Sequence, residues 1–348
     1  MRVCNYAQKV CTRTSCFLLV IRSDNIITLL LPLAILLGLV TGSILPSAGA
    51  TLGSLIDTLV LGLLALLFFE VRFQPLREAS RHLGFLLIAW VTNFVLIPLI
   101  AWSVAKLFFS GQPALFAGLL LYLLFPCTDW FLAFTRIAKG DVALGSILIP
   151  VNLISQLLLF PVFLALFIGT QNGPASVEMW STFTQWFLFP FVGAILLRVA
   201  LSRILSPKQF EAFPRLVGSL IPWTLSLLVF CIFCSHTSKI IAHPKAFPLI
   251  LLAVFLFFVL SWLVSELIAW RFRLGRPQQV LLAMTTAARN SPLVLGLATI
   301  ALPDQPLVYA ALIIGMLVEF PHLTVLSRLM FRQQQNLSAS AANPVTTS

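Results

Sequence analysis

A chain of 348 residues would ordinarily suggest two soluble domains, but only 9% of these residues are charged and 59% are hydrophobic. A soluble fold must hydrate its outside and carries about 25% charged residues, so the composition excludes a water-soluble protein and points to lipid. The net charge of +11 gives no sign of a nucleic-acid partner, because the cations are spread between apolar runs and form no basic patch interleaved with aromatics.

The N-terminal stretch 1–25 is basic and carries Cys4, Cys11 and Cys16. Its apolar run from Cys16 to Ile21 is too short for the core of a signal peptide, and Arg22, Ser23, Asp24 and Asn25 interrupt it. It reads as a cytoplasmic tail. Beyond it, a bilayer-crossing helix needs about 20 mostly apolar residues. Ten stretches qualify: 26–45, 51–69, 83–109, 112–135, 142–169, 182–201, 216–236, 246–270, 278–302 and 306–329. They make one all-α integral-membrane domain over 26–330, followed by a Gln-, Ser- and Ala-rich tail, 331–348, expected to be disordered.

Cations test this division. With the N-terminus inside, eighteen of the 22 Lys and Arg fall in inside segments, and Lys106, Lys239 and Lys245 fall outside. Arg289 lies within a span. The positive-inside rule then places both termini in the cytoplasm of a cell (inner or plasma) membrane protein. Ten spans divide into five and five, 26–169 and 182–330. Five is odd, so the second half enters from the opposite face, the setting of an inverted repeat.

The fourth span contains Phe125–Pro126–Cys127–Thr128–Asp129, and the ninth contains Ala288–Arg289–Asn290–Ser291–Pro292. Both place Pro and small polar groups at mid-membrane. Proline breaks the helical ladder, and broken helices survive in lipid only where protein or a wet cavity satisfies the backbone. Paired breaks at matching positions of two halves mark a transporter's substrate site.

Charges within spans are costly and usually functional. Asp57 lies early in the second span, and Glu266 near the end of the eighth is expected to snorkel or to pair with Arg271. Asp129 and Arg289 either pair with one another across the two breaks, or Arg289 meets an anionic or polar ligand. Glu319 has no neighbouring cation except His322 at i+3. It either exchanges a proton or holds helices together as a neutral hydrogen-bonded group. Cys127 is an inert small hydrophobe or a soft ligand for a soft element. Cys231 and Cys234 share a helix face and read as packing. No phosphate-binding loop, zinc-protease motif or nucleophile–base set is present, so neither an enzyme nor a resident metal or cofactor is expected.

These segments resemble the bile acid/sodium symporter superfamily, and within it the arsenite-efflux (arsenical-resistance) branch. Phe125–Pro126–Cys127–Thr128, Ala138–Lys139–Gly140–Asp141 and Pro150–Val151–Asn152–Leu153–Ile154 look like that branch's Pro–Cys–Thr segment, Gly–Asp turn and Asn-bearing fifth span. Thr285–Thr286–Ala287–Ala288–Arg289–Asn290 is similar to the family's ninth-span break, and Gly315–Met316–Leu317–Val318–Glu319–Phe320–Pro321 to its tenth-span stretch. The resemblance implies two inverted five-helix repeats, a panel and a core domain, and spans four and nine crossing at their breaks. It also implies that Cys127 contacts trivalent arsenic and that Glu319 takes part in proton-coupled export.

Asp129 and Trp130 depart from the family pattern, as does Arg289, which stands where a small or amide side chain is usual. The family's sodium ligands are not matched, so a proton is the expected coupling ion in preference to sodium. The expected function is export of arsenite or a related trivalent arsenical by proton antiport. Cys127, Asn152, Asn290, Arg289 and Asp129 would bind the substrate, and Glu319 would couple the proton. The alternative is a sodium- or proton-coupled symporter of an organic anion, with Arg289 as counter-charge.

Overall fold

A computed structural model describes residues 30–70, 74–128, 130–168, 189–204 and 206–342. Asp129 and the N-terminal tail with Cys4, Cys11 and Cys16 lie outside the described residues. In chain order the helices are α1 (Leu30–Ile44), α2 (Pro46–Gly53) and α3 (Ile56–Glu70). A 3-10 segment over Gln74–His82 leads into α4 (Leu83–Val91), which runs through a π turn at Thr92–Leu96 into α5 (Ile97–Phe109). Then come α6 (Pro113–Leu124), α7 (Trp130–Ile137) and α8 (Val142–Phe163). The second half holds α9 (Phe189–Ile204), α10 (Pro207–Ser235), α11 (Thr237–Ile241) and α12 (Ala246–Arg271). It ends with α13 (Arg276–Ala287), α14 (Ser291–Ala301) and α15 (Pro306–Ala342).

Among the described residues, six helical stretches are long and apolar enough to cross a membrane: Thr51–Glu70, Ala79–Phe109, Val142–Phe167, Leu216–Ser235, Ala246–Arg271 and Pro306–Gln333. Leu30–Ile44, Pro113–Leu124 and Ser291–Ala301 are shorter apolar helices. The outward faces remain apolar, as at Leu87, Leu107, Leu158 and Leu196, which suits a hydrocarbon solvent. The tail expected to lack structure from 331 is helical as far as Ala342. No Gly or Pro occurs between 331 and 342 to interrupt it.

The helices pack in two groups. In the first, α10 lies along α3 and against α2, and α9 lies along α3. The small residues of α1 and α2 allow backbones to meet: a Cβ on Gly42 would collide with the Cys234 carbonyl oxygen. In the second group, α6 packs against α5 and α15, while α12 packs against α5, α13 and α15. Gly118 and Gly315 bring α6 and α15 together, since a Cβ at either would lie 2.6 Å from its neighbour, the Val308 oxygen or the Tyr122 ring. The groups meet where α14 lies on α3 and α10 touches α15.

The fourth and ninth apolar stretches are each two half-helices. Phe125 precedes Pro126, whose ring disfavours helical backbone in the residue before it, and Phe125 is extended at φ −108°, ψ 126°. Ala288 is extended at φ −76°, ψ 135°, and the helix restarts at Ser291 with Pro292 in its first turn, where proline's missing N–H costs nothing. After α7, Lys139 adopts a positive φ of 57°. A Cβ on Gly140 would meet the Thr135 side chain at 2.6 Å, so glycine is required there. Asp141 then starts α8 by accepting the Leu144 N–H at 2.9 Å.

Candidate functional site

The two breaks cross antiparallel, with Pro126 opposite Arg289. The Cys127 N–H donates to the Ala288 oxygen at 2.9 Å, and the Asn290 N–H donates to the Phe125 oxygen at 3.0 Å. Backbone freed from two helices is thus paired by each helix for the other, as an apolar surrounding demands. Gln156 on α8 completes the pairing. Its Nε2 donates to the Pro126 oxygen at 2.7 Å, and its Oε1 accepts from Asn290 Nδ2 at 2.9 Å.

Arg289 is fully buried. Its guanidinium reaches the carbonyl ends of both interrupted helices. Nη1 donates to the Leu123 oxygen at 3.0 Å, and Nη2 donates to the Thr285 oxygen at 3.2 Å and to the Thr286 oxygen. The Phe257 ring lies 5.5 Å from the guanidinium carbon. These carbonyls have no onward helical donor, and a cation there also meets the negative ends of two helix dipoles. Its expected partner Asp129 lies outside the described residues.

Glu319 on α15 is buried and clamps the start of α14. Its Oε1 accepts the Arg289 backbone N–H at 2.8 Å, and its Oε2 accepts from Ser291 Oγ at 3.1 Å. Read as unpaired from its sequence neighbours, the carboxylate is therefore partnered. Its partners come from the ninth-span break, which no neighbour on its own helix could reveal. His322 is not one of them: its ring stacks on Phe258 at 3.9 Å, and its Nε2 has no described partner. A protonated Glu319 would lose an acceptor, but the Ser291 hydroxyl can rotate from donor to acceptor. This geometry lets one proton come and go without breaking the cap.

Cys127 is buried, and its Sγ accepts the Trp130 N–H at 3.3 Å. The sulfur sits at the positive end of α7, where negative charge is stabilised. Asn290 also donates to Thr128 Oγ1 at 3.2 Å. Asn152 stands one layer back, donating to Thr285 Oγ1 at 3.3 Å, as does Asn93 from the π turn at 3.2 Å. The amide oxygens of Asn93 and Asn152 are buried and have no partner among the described residues. The Tyr122 hydroxyl is also buried and has no described partner.

The fold therefore gathers Cys127, Arg289, Asn290 and Glu319 at one crossing, with Asn152 joined through Thr285. Sequence reasoning missed Gln156, Asn93, Thr285, Ser291 and Tyr122. Gln156 carried a usable signal, because it lies four residues after Asn152 on the same helical face. Asn93 did too, as a lone amide in an apolar run. Two charges stand apart from the site. Asp57 is exposed in the first turn of α3. Glu266 does not pair with Arg271 but accepts from Gln279 Nε2 at 2.5 Å. Five residues on, Arg271 is about 140° round the helix, while α13 packs against α12.

A small cleft opens onto this crossing between the two helix groups. Ile221, Pro222 and Leu225 of α10 form one wall. Trp130, Pro292, Met316, Phe320, Arg289 and Glu319 form the other. Cys127 is not on the wall, but the Trp130 N–H that holds its sulfur belongs to a residue that is. Among the described residues, no group of three or more His, Cys, Asp or Glu is placed to hold a metal.

Three proteins illustrate what the chain is similar to. The arsenical-resistance protein Acr3 of Corynebacterium glutamicum is 22% identical over 321 residues, 86% of each chain. The arsenical-resistance protein Acr3 of Alkaliphilus metalliredigens is 22% identical over 261 residues, 68% of this chain and 73% of its own. The uncharacterized protein YbaS of Bacillus subtilis is 26% identical over 258 residues, 72% of this chain and 80% of its own. The sequence model of the Sodium Bile acid symporter family matches residues 58–243. That is more than half of the 348 residues and takes in the fourth-span break with Pro126 and Cys127. The apolar helices, the broken fourth span and this match agree: the chain is a membrane protein that belongs to the Sodium Bile acid symporter family.

Proposed function

We propose that the protein is a secondary transporter that exports arsenite or a related trivalent arsenical, driven by proton antiport. The observation that carries this reading is the crossing itself. A cysteine and the Asn290 amide meet there, with Asn152 one layer back and a carboxylate that can exchange a proton, in a chain similar to arsenical-resistance proteins. Arsenous acid is a neutral trihydroxide with a soft centre. Cys127 would displace one hydroxyl as water, forming one As–S bond, while Asn152 and Asn290 hydrogen-bond the remaining hydroxyls. One thiolate ligand suits release, because soft centres held by two or three thiolates leave slowly.

In this reading all ten apolar stretches cross the plasma membrane as two inverted five-helix repeats, with both termini cytoplasmic. The helix group holding the crossing moves against the group holding α3, α9 and α10, and Glu319 exchanges its proton as the cleft between them opens. The organic-anion alternative asks Arg289 to serve as counter-charge. Its guanidinium is instead engaged with the Leu123, Thr285 and Thr286 carbonyls, which favours the arsenical.

The test is arsenic accumulation in arsenic-sensitive cells lacking their own efflux, supplied with arsenite. Wild type should accumulate less than empty cells, and Cys127→Ala should accumulate as much as empty cells while reaching the membrane in equal amount. Equal accumulation in every strain would overturn the reading.

A further inference from the structure

The Arg289 guanidinium has no part in the proposed cycle, and its seat has the form of a cation site. The group is 0% exposed. Each of its described hydrogen bonds goes to a neutral backbone oxygen, from Leu123, Thr285 or Thr286. Leu123 is in the last turn of α6, and Thr285 and Thr286 are in the last turn of α13. Glu319 bonds the backbone N–H of this residue and makes no described bond to its guanidinium. The Phe257 face closes another side at 5.5 Å. With the Glu319 carboxylate nearby, the buried charge is held at the guanidinium itself by dipoles and a π face, in the way that carbonyls at half-helix ends hold monovalent ions in transporters.

We propose that Arg289 is a tethered counter-ion: its guanidinium occupies a carbonyl cradle which, once emptied, takes up a monovalent metal cation such as sodium. The charge that two converging helix ends require is then supplied covalently. It does not exchange with the bath, so the crossing is indifferent to sodium and potassium. The inference concerns cation binding and holds whether the substrate is an arsenical or an anion. A plain helix clip would make the same hydrogen bonds, but its removal would leave no cation site.

The experiment compares the melting of purified wild type, Arg289→Ala, Arg289→Gln and Arg289→Lys in detergent. Each is measured in choline chloride and in sodium or potassium chloride at one ionic strength. Wild type and Arg289→Lys should melt at the same temperature in every salt. Arg289→Ala and Arg289→Gln should melt lower in choline and recover saturably in a metal salt, by on the order of 3 °C at ten times the dissociation constant. Neutral variants that can be purified only in a metal salt would give the same support. Neutral variants equally impaired in all salts, or failing to fold in all of them, would overturn the proposal. So would a saturable rise of the wild type in sodium or potassium.

Discussion

A carbonyl stripped of its helical donor inside a membrane costs several kcal/mol, and Gln156 relieves that cost at Pro126 while its own oxygen receives the Asn290 amide. Gln156→Leu keeps the volume and removes both bonds. It should lower stability by about 2–6 kcal/mol, from the Pro126 carbonyl and one Asn290 N–H left unpartnered at about 1–3 kcal/mol each. Efflux should be lost even at temperatures where the protein remains folded. Melting in detergent and accumulation assays read the two effects separately. Glu319 offers a second test at this scale. Glu319→Gln still presents an oxygen to the Arg289 N–H but holds no exchangeable proton. In proteoliposomes, wild-type arsenite movement should accelerate when the receiving side is made acid, because in the proposed antiport entry of protons drives exit of substrate. Glu319→Gln should move arsenite at one rate with and without the gradient. A gradient response retained by this variant would remove Glu319 from the coupling step.

At the scale of the element, the break in the fourth span depends on one proline. Pro126→Ala removes the ring that forces Phe125 into extended backbone, so α6 gains freedom to run on toward α7. The variant should insert and fold, yet lose efflux, because Cys127 would leave its bond to the Ala288 carbonyl. Faster hydrogen exchange at Cys127 and Asn290 would mark the lost crossing. Capping gives a milder case. Asp141→Ala removes the acceptor at the start of α8 and should cost about 1 kcal/mol, with Asp141→Asn close to wild type. These features were legible in the sequence because they are local. Pro126 and Pro292 act on adjacent backbone, and Gly140–Asp141 is a turn followed by a cap. The partners made across the fold were not legible. Nothing near Glu319 in sequence points to the Arg289 N–H, and nothing near Arg289 in sequence points to the Leu123 carbonyl. The tail beyond 331 illustrates the converse, since its polar composition suggested disorder while its lack of Gly and Pro allows α15 to continue to Ala342.

The whole molecule follows from its solvent. Apolar stretches of about 20 residues were readable because hydrocarbon requires that length, whereas composition does not show which helices share a group. The structure divides them, with α3, α9 and α10 on one side of the cleft and α6, α7, α14 and α15 on the other. Alternating access by relative motion of these groups has a direct mechanical test. Leu225 of α10 and Met316 of α15 line the cleft from opposite groups. Replacing both by Cys and joining them with a short flexible bifunctional thiol reagent should arrest efflux, and cleaving the link should restore it. A link within one group should leave efflux intact, as between Gly53→Cys and Ser235→Cys, where a Cβ on residue 53 would lie 3.3 Å from Ser235 Oγ. Arrest by both links would mean that the first group deforms internally during transport. Arrest by neither would mean that the substrate passes without the two groups separating, and the cleft beside Glu319 would then be a packing seam and not the path.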